Sequence, residues 1–206
     1  MASLSNSKQY NSPNDFTDDE IIKLTGVLGV YGNLRDPRIK FSCNIRRYSE
    51  SIVVKITTVD ILELQITIEP QNRLIYNESL VKRKDSKKTG LAHSWVKSQV
   101  ENAPACLINM LEGAAHKDDT DQDIIWIGYI LWHKLGYLMA EKSMKEFDLT
   151  LEKHKLEKQD ITKLLSTKEG IEFWQTEGFT WDCYFDLAPQ STSRLILENY
   201  KPSSKN

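Results

Sequence analysis

No stretch of this 206-residue chain approaches the roughly 20 consecutive apolar residues of a membrane-spanning helix. Met1 to Asp19 is polar and rich in Ser and Asn, without the apolar core of a secretory leader, so a cytoplasmic location is expected. Cysteine is scarce. Cys43, Cys106 and Cys183 stand far apart and form no CxxC unit, which argues against a zinc site and a disulfide framework alike. Cys43 lies in an alternating segment and Cys106 in an apolar run, so both read as buried thiols. His93, His116, His133 and His154 have no metal-ligand spacing, and His93 and His133 read as helix-surface residues. Asp119, Asp121 and Asp123 open like a calcium loop, but Ile124 replaces its glycine and Ile130 its closing glutamate. No metal is therefore expected. An excess of one charge is also lacking: the net charge is −2, which disfavours nucleic acid and anionic membrane surfaces as partners.

What is present is the composition of a globular protein, 40% hydrophobic and 27% charged. A domain of this size buries roughly 70% of its unfolded-chain surface. Residues 1–16 and 201–206 read as polar tails around a single domain over 17–200. Thr17 and Glu20 have capping-box spacing before a short helix over Asp18–Leu28. Four segments of period-2 alternation follow. Ile39, Phe41, Cys43 and Ile45 form the first; Ile52, Val54 and Ile56 the second; Leu62, Leu64, Ile66 and Ile68 the third; Arg73 to Val81 the fourth. Short polar breaks join them, as in an antiparallel meander.

After Val81 the pattern changes. A basic loop leads to Gly90–Ala103, where Leu91, Trp95, Val96 and Val100 share a helical face, and Pro104 ends that helix. Ala105–Leu111 is a nearly continuous apolar run, which predicts a buried strand and hence a parallel βαβ unit. A further helix over 124–135 closes at Gly136. Residues 138–200 read as a helical extension with a strand over Phe179–Leu187 and a last helix over Ser191–Tyr200. Trp174, Phe179, Trp181 and Phe185 are expected in the core. The fold class is α+β: a mixed sheet, antiparallel meander first and parallel βαβ unit second, with helices on both faces.

The segment Leu74–Ala92, LIYNESLVKRKDSKKTGLA, carries the chemistry. A strand runs into a basic loop and a glycine opens a helix, so free amides and the positive end of a helix dipole face one point. A solvated basic loop is the alternative. The order of meander, loop, helix, buried strand and a helix ending in Leu-Gly-Tyr resembles the Gcn5-related N-acetyltransferase (GNAT) family over about residues 39–137. Lys87-Lys88-Thr89-Gly90-Leu91-Ala92 is similar to that family's Q/R-x-x-G-x-G/A pyrophosphate loop, with lysine at the first position. The resemblance implies a GNAT-like core followed by a C-terminal insertion, and acetyl-CoA or another acyl-CoA as co-substrate. It implies contacts to that co-substrate from Leu80, Val81, Lys82 and Lys87 through Ala92, and transfer of the acyl group to an amine. Glu78, mid-strand before the loop and alternating with Leu74, Tyr76 and Leu80, is then the candidate base; an exposed strand carboxylate is the other reading. Trp132 stands where the family's thiolate-protonating tyrosine falls, leaving Tyr129 and Tyr137 as substitutes. A non-catalytic GNAT-like module is the other class of function. It would engage a protein partner, or a second copy as a homodimer, through Glu141–Tyr200.

Overall fold

The computed structural model describes residues 9–32, 40–83, 86, 90–116 and 128–201, with Gly128 and Tyr129 described by their backbone. The first helix, α1, spans Asp18–Leu24. Thr17 caps it: the Thr17 and Glu20 side chains bond reciprocally to each other's backbone amides. The apolar pattern continues to Leu28, but Gly26 is left-handed and the chain restarts as α2, Val27–Tyr31. Four strands follow: β1 (Ser42–Arg47), β2 (Ile52–Thr57), β3 (Ile61–Glu69) and β4 (Leu74–Lys82). Helix α3 (Leu91–Asn102) crosses to β5 (Met110–Ala115), and α4 is Gly128–Leu131. Then come β6 (Leu138–Met139), α5 (Glu141–Lys153), α6 (Ile161–Leu164), α7 (Lys168–Glu177), β7 (Trp181–Asp186) and α8 (Thr192–Asn199).

The strands form one seven-stranded sheet in the order β1-β2-β3-β4-β5-β7-β6. β4 and β5 are parallel and every other neighbouring pair is antiparallel. That geometry follows from the connections: hairpin turns can only reverse a strand, whereas α3 carries the chain back across the sheet. Register aligns the apolar residues into ladders. Ile52, Ile68, Ile75, Leu111 and Phe185 face one another across successive strands, as do Val54, Ile66, Asn77, Gly113 and Cys183. All of them are buried, and α1 and α3 close over this inner face. Trp95 of α3 donates its indole N–H to the Thr25 carbonyl. The outer face carries Thr67, Tyr76, Glu112, Tyr184 and Leu138 in one row. The same apolar core extends past the β7–β6 edge to Phe147, Leu151, Leu164 and Trp174, with Phe147 and Phe179 edge-on to the Trp174 ring.

Four expectations are corrected. Leu62 is exposed and Ile61 buried, because β3 is irregular between Ile61 and Glu63 and its alternation shifts by one residue there. The run Ala105–Leu111 is not a strand. Pro104 instead starts a 3-10 turn over Ala103–Cys106, Leu107 turns at φ 60°, and the strand begins at Met110. Pro cannot donate to a ladder but suits a first helical turn, which is the physical reason. β6 is too short for its pattern to register in sequence. His133, expected on a helix surface, is buried at 3% exposure. Cys106 is buried and Cys43 half-buried.

Candidate functional site

β4 and β5 pair only from Leu74–Met110 to Asn77–Gly113. Beyond that point β4 continues to Lys82 and β5 to Ala115 without pairing to each other. The β4 edge past Asn77 therefore presents backbone donors and acceptors that no β5 partner takes up. β4 also bulges here: Asn77 faces Ile66 while Ser79 faces Gln65, leaving Glu78 as the extra residue. The bulge changes the parity of the strand. Glu78 therefore stays on one face with Leu74 and Tyr76, while Leu80, opposite buried Leu64, moves to the inner face, where simple alternation would have kept all four together. Its half-buried carboxylate lies on the outer face and accepts a 2.9 Å hydrogen bond from Thr67 Oγ1. Tyr76 lies on the same face. Burial, and then the Asp182, Glu78 and Glu112 carboxylates, push its phenol above the ordinary tyrosine range.

On the inner face the same stretch of β4 carries a buried polar network. Asn77 Nδ2 donates to Tyr137 Oη at 2.7 Å and to Gln99 Oε1 at 3.2 Å. Gln99 Nε2 donates to Asn77 Oδ1 at 2.9 Å and to the Leu24 carbonyl at 3.3 Å. Tyr137 is fully buried, and burial first, then the Cys183 thiol, hold its phenol well above the usual value. It stays protonated across the physiological range and can act there as a hydrogen-bond donor. Trp132 stacks edge-on against Tyr137 at 4.8 Å, which fixes the ring. Glu78 and Tyr137 thus flank β4 from opposite faces where it leaves β5. The Tyr129 side chain lies outside the described residues.

The loop side of the site is anchored by α3. Gly90 is its N-cap at φ 66°, a left-handed conformation that glycine adopts without penalty. Leu91 is buried and Ala92 half-buried, so the first turn packs inward and its amides face out. Leu80 is half-buried, Val81 buried and Lys82 exposed. Lys87, Lys88 and Thr89 lie outside the described residues, as do Asp119, Asp121, Asp123 and Ile124. Sequence reasoning missed Asn77 and Gln99. A lone Asn in an apolar strand was the available signal, since a buried amide demands a partner.

A separate open groove of about 540 Å³ lies among α6, α8 and the 3-10 turn Trp132–Leu135, with His133, Leu165, Ile171, Leu195 and Tyr200 in its lining. Burial, and then the charge of Lys134, lower the His133 pKa to about 4, against a weak opposing pull from the Ile130 carbonyl. The imidazole is therefore neutral in the folded protein at pH 7. Below pH 6.5 the unfolded chain binds a proton that the native state refuses, so stability should fall between pH 6.5 and about 4. The loss amounts to about 3 kcal/mol at 1.36 kcal/mol per pKa unit. His133→Gln should flatten this acid limb in urea titrations at pH 7, 5.5 and 4.5. An unchanged limb would show that another group carries it.

Among the described residues no group of three or more His, Cys, Asp or Glu side chains could hold a metal ion, and no helix is long and apolar enough to cross a membrane. The sequence matches no protein-family model, and no curated protein is significantly similar to it.

Proposed function

We propose that the protein is an acyl-CoA-dependent N-acyltransferase with a GNAT-like fold. The observation that carries this reading is the parting of β4 from β5 after Asn77 and Gly113, beside the left-handed glycine that opens α3. An extended, amide-bearing pantetheine arm suits an open strand edge, and a pyrophosphate suits a helix N-terminus. The meander followed by a parallel βαβ unit supports the same family.

In this reading the Gly90–Ala92 amides receive the pyrophosphate, and the edge of Leu80–Lys82 receives the pantetheine. Glu78, directly or through water, takes the proton from the attacking amine. The C–N bond forms, an edge amide stabilises the oxyanion, and the C–S bond then breaks to release the thiolate. Tyr137, held protonated by its burial, is the donor on the opposite side of β4.

Acetyl-CoA at about 100 times its dissociation constant should add roughly 2.7 kcal/mol to stability, or about 5–10 °C in Tm for a chain of this size. Gly90→Glu should abolish that shift, and Glu78→Gln should slow turnover about 10²–10⁴-fold without removing it. No shift for the wild type at millimolar acetyl-CoA sinks the proposal. A shift without turnover over a panel of amines would favour the non-catalytic module, a reading supported by exposed Met144, Leu149, Leu156 and Leu195 in the C-terminal third.

A further inference from the structure

The turn between β2 and β3, Thr58–Asp60, lies far in sequence from the start of α3, yet it holds the chain that leads there. Thr58 Oγ1 accepts from the Asp60 and Ile61 amides at 3.2 and 3.0 Å, which makes the turn rigid. From it, the Asp60 carbonyl accepts from the Arg83 N–H at 2.9 Å, and the Thr58 carbonyl accepts from Arg83 Nε at 3.2 Å. The two carboxylate oxygens of Asp60 are divided. Oδ1 accepts from Ser86 Oγ at 2.6 Å, and Oδ2 accepts from the Tyr31 hydroxyl at 3.2 Å.

Tyr31 ends α2, and α2 is locked onto α3. A Cβ on Gly29 would lie 2.4 Å from the Ser94 carbonyl oxygen, so the two backbones meet there without a side chain between them. Asp60 therefore joins Ser86, which follows β4, to the helix that braces the first turns of α3, through Tyr31.

From this geometry we infer that Asp60 is a positioning residue: by tying Ser86 and Tyr31 together, its carboxylate fixes where the first turn of α3 stands for binding acyl-CoA. The inference rests on the acyl-CoA reading above and deepens it. Asp60 touches no ligand. An anion beside a phosphate site would by charge alone weaken phosphate binding, so position and charge predict opposite signs. Asp60→Asn separates them, since an amide can accept from Ser86 with its oxygen and donate to the Tyr31 oxygen with its nitrogen.

Coenzyme A affinity, measured by calorimetry on the full chain, should weaken about tenfold in Asp60→Ala, as for one lost charge-assisted hydrogen bond. Asp60→Asn should stay within about threefold of wild type. Ser86→Ala should resemble Asp60→Ala, and the double variant should be no worse than either single one, because both remove the same tether. The KM for the amine should not move. Without ligand, amide exchange at Arg83, Ser86 and Leu91 should quicken in Asp60→Ala while exchange in β5 and β7 does not. Tighter binding in both Asp60 variants, or less than twofold weakening in Asp60→Ala while Gly90→Glu abolishes binding, overturns the positioning role and leaves the acyl-CoA reading standing. A wild type that binds no coenzyme A at millimolar concentration overturns both.

Discussion

Gly136→Ala should destabilise the protein by about 4 kcal/mol, measured as unfolding free energy in urea. Gly136 ends the turn Trp132–Leu135 at φ 90°, ψ 5°, with its amide donating to the His133 carbonyl at 3.2 Å. A side chain in this left-handed region costs about 1–2 kcal/mol by itself. The larger part comes from contact. A Cβ at this position would stand 2.2 Å from the Ser193 carbonyl oxygen and 2.8 Å from Phe185 Cε2. Neither neighbour yields easily: the first is backbone in the opening turn of α8, and the second is a ring of the central core. Forcing them apart adds about 1–3 kcal/mol on the scale of overpacked cores. Gly32→Ala provides the comparison. Gly32 also has a positive φ of 67°, but nothing lies within 4 Å of the added carbon. It should lose only about 1–2 kcal/mol, the backbone part alone. Equal losses in the two variants would show that conformation, not packing of α8, limits Gly136.

The second large effect is expected in the Asn77–Gln99–Tyr137 network. Asn77→Ala removes both hydrogen bonds that Gln99 makes with Asn77 and the donor to Tyr137 Oη. All three side chains are buried to 2% exposure or less, so water cannot replace what is lost. A buried polar group left without a partner costs about 1–3 kcal/mol, and two are stranded at once, so a loss of about 3 kcal/mol is expected. Gln99→Ala, which also frees the Leu24 carbonyl, should be of similar size. The pair should be strongly non-additive. Once Asn77 is gone, Gln99 is already half unpartnered, and removing it costs less, by about 1–2 kcal/mol, than in the wild type. Additive losses would show that the two amides act independently. Because Asn77 bonds to Tyr137, the variant also tests the proposed site: if the protein is the acyltransferase proposed above, turnover should fall further than stability alone accounts for.

Several elements are legible in the sequence because they depend on neighbours along the chain. The capping box at Thr17 and Glu20 is one, since its partners are three residues apart. The alternation of β2 and the helix-ending Gly136 are others. The parallel pairing of β4 with β5 was also readable, because parallel neighbours need a crossover and a single amphipathic helix follows β4. Pro104 misled for a local reason too: an apolar run after a proline reads as a strand, while the ring suits a 3-10 turn equally well.

The candidate site is where local pattern stopped being enough. Alternation sets Glu78 with Tyr76 and Leu80, and a bulge, which depends on the register against β3, turns Leu80 to the other face. His133 reads as a surface residue from its own helix, and only α6 and α8, from the far end of the chain, enclose it. Asp60 looks like any turn carboxylate until Ser86 and Tyr31 arrive from either side of it. Period, caps and turns are properties of a few adjacent residues, so the sequence by itself determined α1, β2, β4, α3, α8 and the mixed character of the sheet. The partners of Asn77, Glu78 and Asp60 lie between 11 and 60 positions away, and the register of β5 against β7 joins residues more distant still. Register, the parting of β4 from β5 and these partners were decided only by tertiary structure, because each such contact exists only once the whole sheet and its helices have packed.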